Sequence, residues 1–166
     1  MTRSAASAAE EALLEELAGL YLQVDDSLKG ASCPSSTECC RFGVTGREPY
    51  VTSIEAAALR RAVARRGGPL SAKRRALPLA AKAGAPPRRG SAEGERICAF
   101  LDVSGRCSVY ESRPFGCRTF HCVRANLPTK ASADGRRDLV NRLRDIAARH
   151  EPGGDASRPL SKVFPT

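Results

Sequence analysis

The spacing of apolar residues predicts a long amphipathic helix near the start of the chain. Residues 7–27 repeat large apolar side chains at helical intervals, with charged and small residues between them. Ser7 followed by Glu10 has the pattern of a capping box, and Lys29-Gly30 lies just beyond the expected end. The positions that make the apolar face are Leu13, Leu14, Leu17, Leu20, Tyr21 and Val24.

Two further helices are predicted by the same periodicity. Thr52 with Glu55 is a second capping box, and Gly67-Gly68 ends the helix that follows it. Its apolar face consists of Ile54, Ala58, Leu59 and Val63. The last helix spans about 134–150 and turns Leu139, Leu143 and Ile146 inward.

Residues 97–110 predict one short β-hairpin, because two apolar runs flank a segment of turn composition at 102–105. Residues 112–114, Ser-Arg-Pro, resemble the N-cap and first turn of a short helix. That helix would carry Cys117 and His121 on one face, since residues four apart are neighbours on a helix.

Composition indicates one small domain with a modest core. The chain has 166 residues, with five Phe, three Tyr and no Trp. A core so poor in aromatics gains much from a metal that ties segments together. We therefore expect a small α-rich domain of irregular α+β type, organised by metal, with three main helices, one hairpin and a long basic loop.

Positive charge is concentrated in the middle of the chain. Residues 57–97 carry 11 basic and 2 acidic side chains, and the whole chain has a net charge of +9. We interpret 68–96 as a mobile basic insertion with one short helical turn at about 77–82, and 155–166 as a flexible tail. Nucleic acid is a possible partner, but aromatics for base stacking are missing from the insertion, so we favour a protein partner of unknown identity.

The first twenty residues do not resemble a secretion signal, because Glu10, Glu11, Glu15 and Glu16 interrupt their apolar residues. No stretch has the length and apolarity of a membrane span. We expect a cytoplasmic protein without membrane contact, in which thiols are kept reduced.

Seven cysteines provide the candidate chemistry. They form two clusters, Cys33, Cys39 and Cys40, then Cys98, Cys107, Cys117 and Cys122. Seven is an odd number, so complete pairing as disulfides within one chain is excluded. Thiolates are soft metal ligands, and His121 is a further candidate ligand.

The spacing of these cysteines favours an iron–sulfur cluster over zinc. The paired C-x2-C of zinc ribbons does not occur, and iron–sulfur proteins accept more varied spacings. Adjacent cysteines are expected to point in different directions, which makes it awkward for Cys39 and Cys40 to bind one zinc ion. A metal-stapled interaction module with zinc remains the alternative.

Two segments carry a resemblance to a known family. The sequences SCPSSTECCRFGV, beginning at Ser32, and ICAFLDVSGRCSVYESRPFGCRTFHC, beginning at Ile97, resemble the bacterial CxxCxxCC cysteine-cluster family. These are the YkgJ-type proteins described as zinc- or iron-chelating. The resemblance covers about residues 33–66 and 97–124, and its second block is the more specific. The residues that match in that block are Cys98, Cys107, Tyr110, Arg113, Pro114, Cys117 and Arg118.

The resemblance implies a metal site with one departure. The family has a second motif cysteine where this chain has Ser36. Either His121 replaces that ligand, or Cys33, Cys39, Cys117 and Cys122 suffice. Arg113 and Arg118 are candidates to bind a ligand carboxylate or phosphate, or to offset the charge of the thiolates. Some larger relatives resemble protein lysine methylases, but no separate substrate domain is evident here, so enzymatic activity is left open.

Overall fold

The computed structural model describes residues 3–29, 37–75, 96–119 and 133–165. Within these ranges the chain is rich in helix and has one short antiparallel strand pair, which confirms the predicted α-rich character. The helices are α1 (Arg3–Ser27), α2 (Phe42–Thr45), α3 (Ser53–Arg65), α4 (Phe115–Thr119), α5 (Ala133–His150) and α6 (Leu160–Val163). The strands are β1 (Tyr50–Val51) and β2 (Arg158–Pro159), and single 3₁₀ turns span Thr37–Cys40, Ala72–Arg74 and Tyr110–Ser112.

The three main helices are α1, α3 and α5, as predicted, and they pack on one another around a first apolar core. α1 begins at Arg3 rather than Ser7, because alanines on both sides of Ser7 favour helix. No helix in the described ranges is long and apolar enough to cross a membrane. The buried residues of this core are Leu17, Leu20, Tyr21, Val24, Ile54, Phe115, Leu143, Ile146 and Ala147.

A buried carboxylate joins α1, α3 and α4. The predicted capping box of α3 is present, and the Thr52 backbone N–H donates to Glu55 Oε2 at 2.9 Å. Glu55 Oε1 accepts from the Tyr21 hydroxyl at 3.1 Å and from the Phe115 N–H at 2.7 Å. Burial raises the pKa of Glu55, although these hydrogen bonds counteract the rise.

A second apolar core lies between α3, the turn at 97–110 and the C-terminal segment. The predicted hairpin is present as a tight antiparallel turn with a single bridge between Leu101 and Cys107. The Asp102 carboxylate closes the turn by accepting the backbone N–H groups of Ser104 and Arg106, both at 2.9 Å. The buried residues are Phe42, Val51, Leu59, Ala62, Cys98, Phe100, Leu101, Val109 and Leu160.

The C-terminal segment differs from the predicted flexible tail. β2 pairs antiparallel with β1, with Tyr50 opposite Pro159 and Val51 opposite Arg158. Leu160 is only 2% exposed in the second core, and its N–H donates to the Pro49 carbonyl oxygen at 2.9 Å. The tail is anchored because a single leucine after a proline supplies both a buried side chain and a backbone hydrogen bond.

The basic insertion is described at residues 68–75 and at Arg96. The Val103 N–H donates to the Arg74 carbonyl oxygen at 3.0 Å, and Arg75 forms a bridge with Asp102. Residues 69–75 are thus attached to the hairpin turn rather than free of the core. The remainder of the insertion at 76–95, including the predicted helical turn at about 77–82, lies outside the described residues.

Candidate metal centre

Backbone hydrogen bonds join the segments that carry the two cysteine clusters. The Cys98 N–H donates to the Cys40 carbonyl oxygen at 2.9 Å, and the Gly43 N–H donates to the Arg96 carbonyl oxygen at 3.2 Å. Between these bonds Arg41 and Ile97 form an antiparallel bridge. Cys40 and Cys98 therefore lie side by side, although 57 residues separate them in sequence.

The Cys39 and Cys40 sulfur atoms lie 3.9 Å apart. The expectation that the two side chains point in different directions is therefore wrong. That expectation holds for a regular backbone. Here Cys40 ends a 3₁₀ turn, and Arg41 has non-helical backbone angles, φ −112° and ψ 84°. Two thiolates on one tetrahedral zinc ion, with Zn–S of about 2.3 Å, would have sulfurs roughly 3.8 Å apart.

Cys117 brings a third segment to the same place. It lies in α4, where its N–H donates to the Pro114 carbonyl oxygen at 2.9 Å. Burial raises the pKa of the Cys117 thiol most, and the nearby thiols of Cys40, Cys107 and Cys39 raise it further. The Cys117 thiol therefore lies within electrostatic range of thiols from both clusters.

Four thiols lie within electrostatic reach of one another. Burial raises the pKa of Cys107 most, and the Cys39 thiol adds to the rise. For Cys40 the hydrogen bond with Cys39 lowers the pKa, but the hydrogen bond with Cys98, burial and the charge of Cys107 outweigh it and raise the pKa to about 12. Every pair among Cys39, Cys40, Cys107 and Cys117 is coupled in this way. The buried Cys98 thiol is hydrogen-bonded to the Cys40 thiol and raises its pKa.

Three of the predicted ligands lie outside the described residues. These are Cys33, His121 and Cys122, and the same is true of Ser36. Among the residues that the structure does describe, no three Cys, His, Asp or Glu side chains come close enough together to hold a single metal ion. The four mutually coupled thiols are therefore more widely spread than the ligands of one bound ion.

Arg113 affects the thiols electrostatically, and its predicted charge-offsetting function stays a prediction. Its positive charge lowers the pKa of Cys39, Cys107 and Cys117, although larger effects of burial and of neighbouring thiols leave all three raised. The Arg113 Nε donates to the Tyr110 carbonyl oxygen at 3.0 Å, and the guanidinium lies 3.6 Å from the centre of the Tyr110 ring. These contacts hold the Arg113 guanidinium against Tyr110.

Arg118 is held by contacts within the fold. Its Nε donates to the Arg113 carbonyl oxygen at 2.8 Å, and its terminal nitrogens contact the Asp25 carboxylate and the Glu111 carbonyl oxygen. The guanidinium also lies over the Tyr21 ring, 4.2 Å from its centre. Arg118 thus ties α4 to α1, and binding of a ligand by this residue stays a prediction.

Arg66 is a candidate that the sequence analysis missed. It follows the last residue of α3, and its Nε and Nη2 atoms are buried without a hydrogen-bond partner among the described residues. Its charge lowers the pKa of Cys107, against the larger effect of burial. One indication in the sequence that Arg66 is partly buried is that it lies on the same face of α3 as the apolar residues Leu59 and Val63.

Among the described residues, the closest approach of candidate ligands is that of the Cys39 and Cys40 sulfur atoms, and thiolates are soft metal ligands. An ionised thiol raises the pKa of a nearby thiol, and Cys107 and Cys117 both show this effect of other cysteines. Cationic guanidinium groups lie beside the thiols, as is common around anionic metal–thiolate centres. Comparisons of the chain with protein-family models, curated proteins and solved structures find no match.

Proposed function

We propose that this chain is a metal-binding cysteine-cluster protein that holds an iron–sulfur cluster. The observation that carries the proposal is the backbone pairing that sets Cys40 beside Cys98, with the Cys39 and Cys40 sulfur atoms 3.9 Å apart. The thiols of Cys107 and Cys117 interact electrostatically with this group. An iron–sulfur cluster takes four cysteine thiolates. An iron–sulfur cluster also holds its ligand sulfurs farther apart than a single metal ion does. The four thiols here are likewise more widely spread than the ligands of one ion. The resemblance to the YkgJ-type proteins supports the same class of function.

Zinc is the alternative, and one observation favours it. The 3.9 Å between the sulfurs of Cys39 and Cys40 is the spacing of two thiolates on one tetrahedral ion. In that case the site is a structural staple, and the domain is an interaction module. Its basic segment, which includes Lys73, Arg74 and Arg75, would contact an acidic protein partner.

The chemistry of the two alternatives differs. A bound iron–sulfur cluster supplies one-electron transfer or a sensor of oxidants, whereas zinc supplies folding energy alone. In both cases the protein contributes soft ligands, partial burial of the thiols and nearby positive charge. A reducing compartment such as the cytoplasm would keep the thiols available for metal.

Anaerobic purification followed by metal and sulfide analysis tests the proposal. We expect a brown protein with visible absorption, iron and acid-labile sulfide. A colourless protein with stoichiometric zinc would favour the alternative. A Cys40→Ser, Cys117→Ser double variant is the matched control and should lose the metal in either case. Wild-type protein that contains no metal and takes up none on reconstitution would refute both.

A further inference from the structure

A cleft of about 480 Å³ opens beside the first core, lined by parts of α3, α4, α5, β1 and residues 155–157. Its floor is closed by buried side chains. Its rim carries Tyr50 and Val140, two large apolar residues that are 55% and 37% exposed. Small-molecule sites in proteins usually have volumes of about 300–1,000 Å³ and mostly apolar walls. The cleft therefore has the size and the lining of a site for a small molecule.

The floor of the cleft supplies shape rather than polar recognition. The Glu55 carboxylate lies there, but its two oxygens already accept hydrogen bonds from the Tyr21 hydroxyl, the Phe115 N–H and Thr52. The Thr52 hydroxyl also donates to Glu55, at 3.0 Å. Phe115 and Leu143 are buried and form the apolar part of the floor. The floor therefore suits an apolar group of a ligand, and charged groups must be bound at the rim.

The rim of the cleft carries two opposite charges. Arg144 lies on α5 and Asp155 on the segment that precedes β2, with the Arg144 Nη2 atom 3.4 Å from the Asp155 Oδ2 atom. Charge-assisted hydrogen bonds are usually shorter, about 2.7–2.9 Å. The two side chains are 60% and 36% exposed, and an ion pair of this kind contributes little to stability. Each charge is therefore available to a ligand at little cost to the fold.

We propose that this cleft binds a free apolar α-amino acid. The ligand carboxylate binds Arg144, the ligand ammonium group binds Asp155, and the ligand side chain lies on the apolar floor. An α-amino acid carries its two charges on neighbouring groups beside one side chain, which matches an adjacent pair of opposite charges above an apolar floor. None of the lining residues is a cysteine, so the inference does not rest on the proposed metal centre.

Calorimetric titration of the full chain with L-leucine and L-phenylalanine tests the inference. We expect binding with a dissociation constant in the millimolar range or below. L-leucinamide lacks the carboxylate and N-acetyl-L-leucine lacks the ammonium group, so each should bind about tenfold or more weakly than L-leucine. Arg144→Met and Asp155→Asn should weaken the binding of L-leucine by a similar factor. Arg142→Met is the matched control, because Arg142 is exposed on the same helix but contacts Gln23, and it should bind L-leucine as wild type does.

NMR spectroscopy locates the binding site. The backbone N–H signals of Gly116 and Val140 should shift when L-leucine is added to wild type, because both residues line the cleft. Absence of heat and of shifts with either amino acid, up to its solubility limit, would overturn the inference. Equal affinities for L-leucine, its amide and its N-acetyl form would also overturn it, since only the apolar side chain would then be recognised. So would equal losses of affinity in Arg144→Met and Arg142→Met. The metal content of the protein enters none of these outcomes, so the proposed function is tested separately.

Discussion

Cys98 donates its backbone N–H to the carbonyl oxygen of Cys40 at 2.9 Å, and this bond joins the two cysteine-bearing segments. It is part of a short antiparallel contact between residues 40–43 and 96–98. Cys117 lies in α4, a third segment, and the thiols of Cys40, Cys107 and Cys39 raise its pKa. A metal bound there would cross-link these parts, and its binding energy would become folding energy.

Loss of the metal or of one thiol should destabilise the domain. Thiolate–metal bonds contribute on the order of 10 kcal/mol in small structural zinc sites, and the two cores here are small. We expect Cys117→Ala and metal-free wild type to melt at clearly lower temperatures than metal-bound wild type. Ser157→Ala, at an exposed position away from the thiols, is the control and should retain the wild-type midpoint. Identical midpoints with and without metal would contradict a structural role for the centre.

Glu55 should make stability depend on pH. Burial raises its pKa in the folded state above the unfolded value of about 4.3, so the folded state favours the protonated form. The contribution of Glu55 to the free energy of unfolding is therefore fully present below its unfolded-state pKa. It is lost as the pH rises through its folded-state pKa. Urea unfolding at several pH values should show wild type losing stability relative to Glu55→Gln over this window.

The glutamine variant should itself be less stable at low pH. Glu55 accepts hydrogen bonds from the Thr52 and Phe115 N–H groups on different oxygens, and an amide can replace only one of those acceptors. A cost of about 1–3 kcal/mol is expected for the donor left without a partner. A difference between the two proteins that stays constant from pH 4 to pH 8 would show that Glu55 does not titrate in this window.

Arg118→Met should be destabilising. The substitution removes the buried partner of Asp25 and leaves the carbonyl oxygens of Glu111 and Arg113 without this donor. We expect a loss of about 1–3 kcal/mol in the free energy of unfolding, because the carbonyl oxygens lose their buried donor, whereas Asp25 is 48% exposed and can be solvated. Arg149→Met is the matched control, since it breaks an exposed pair with Glu16 and should cost at most about 1 kcal/mol. Equal effects of the two substitutions would show that Arg118 is not a structural tie.

Leu160→Ala tests whether the C-terminal segment belongs to the core. Leu160 is 2% exposed and packs in the second core. Removal of this side chain should cost about 2–5 kcal/mol by chemical denaturation. Leu22→Ala, at a position 71% exposed on α1, should change stability by no more than about 0.5 kcal/mol. A Leu160→Ala variant as stable as Leu22→Ala would restore the flexible-tail interpretation.

The helices could be predicted from sequence because their information is local. The apolar face of α1 and the capping box of Thr52 and Glu55 follow from residue spacing alone. The pairing of β1 with β2 could not be predicted in this way. It joins residues 50–51 to 158–159, and strands of two residues carry no periodic signal.

The residue types of the candidate site could be predicted from the sequence, but their geometry could be predicted only in part. The cysteines indicated the chemistry that we propose. The structure places the Cys39 and Cys40 sulfur atoms 3.9 Å apart and pairs the backbones of Cys40 and Cys98. The direction of the Cys39 and Cys40 side chains depends on where a 3₁₀ turn ends, which local sequence does not fix. Arg66 was missed because a basic residue at a helix C-terminus is ordinarily explained by the helix dipole.

X-ray absorption spectroscopy at the metal edge tests the central claim most directly, since it counts the sulfur ligands of the bound metal. For wild type we predict a first shell of sulfur only, at about 2.3 Å, with iron–iron scattering if the metal is a cluster. Single Ser variants of Cys39, Cys40, Cys107 and Cys117 should each replace sulfur by oxygen in that shell or lose the metal. A first shell of oxygen and nitrogen, or a sulfur shell unchanged in all four variants, would contradict the account.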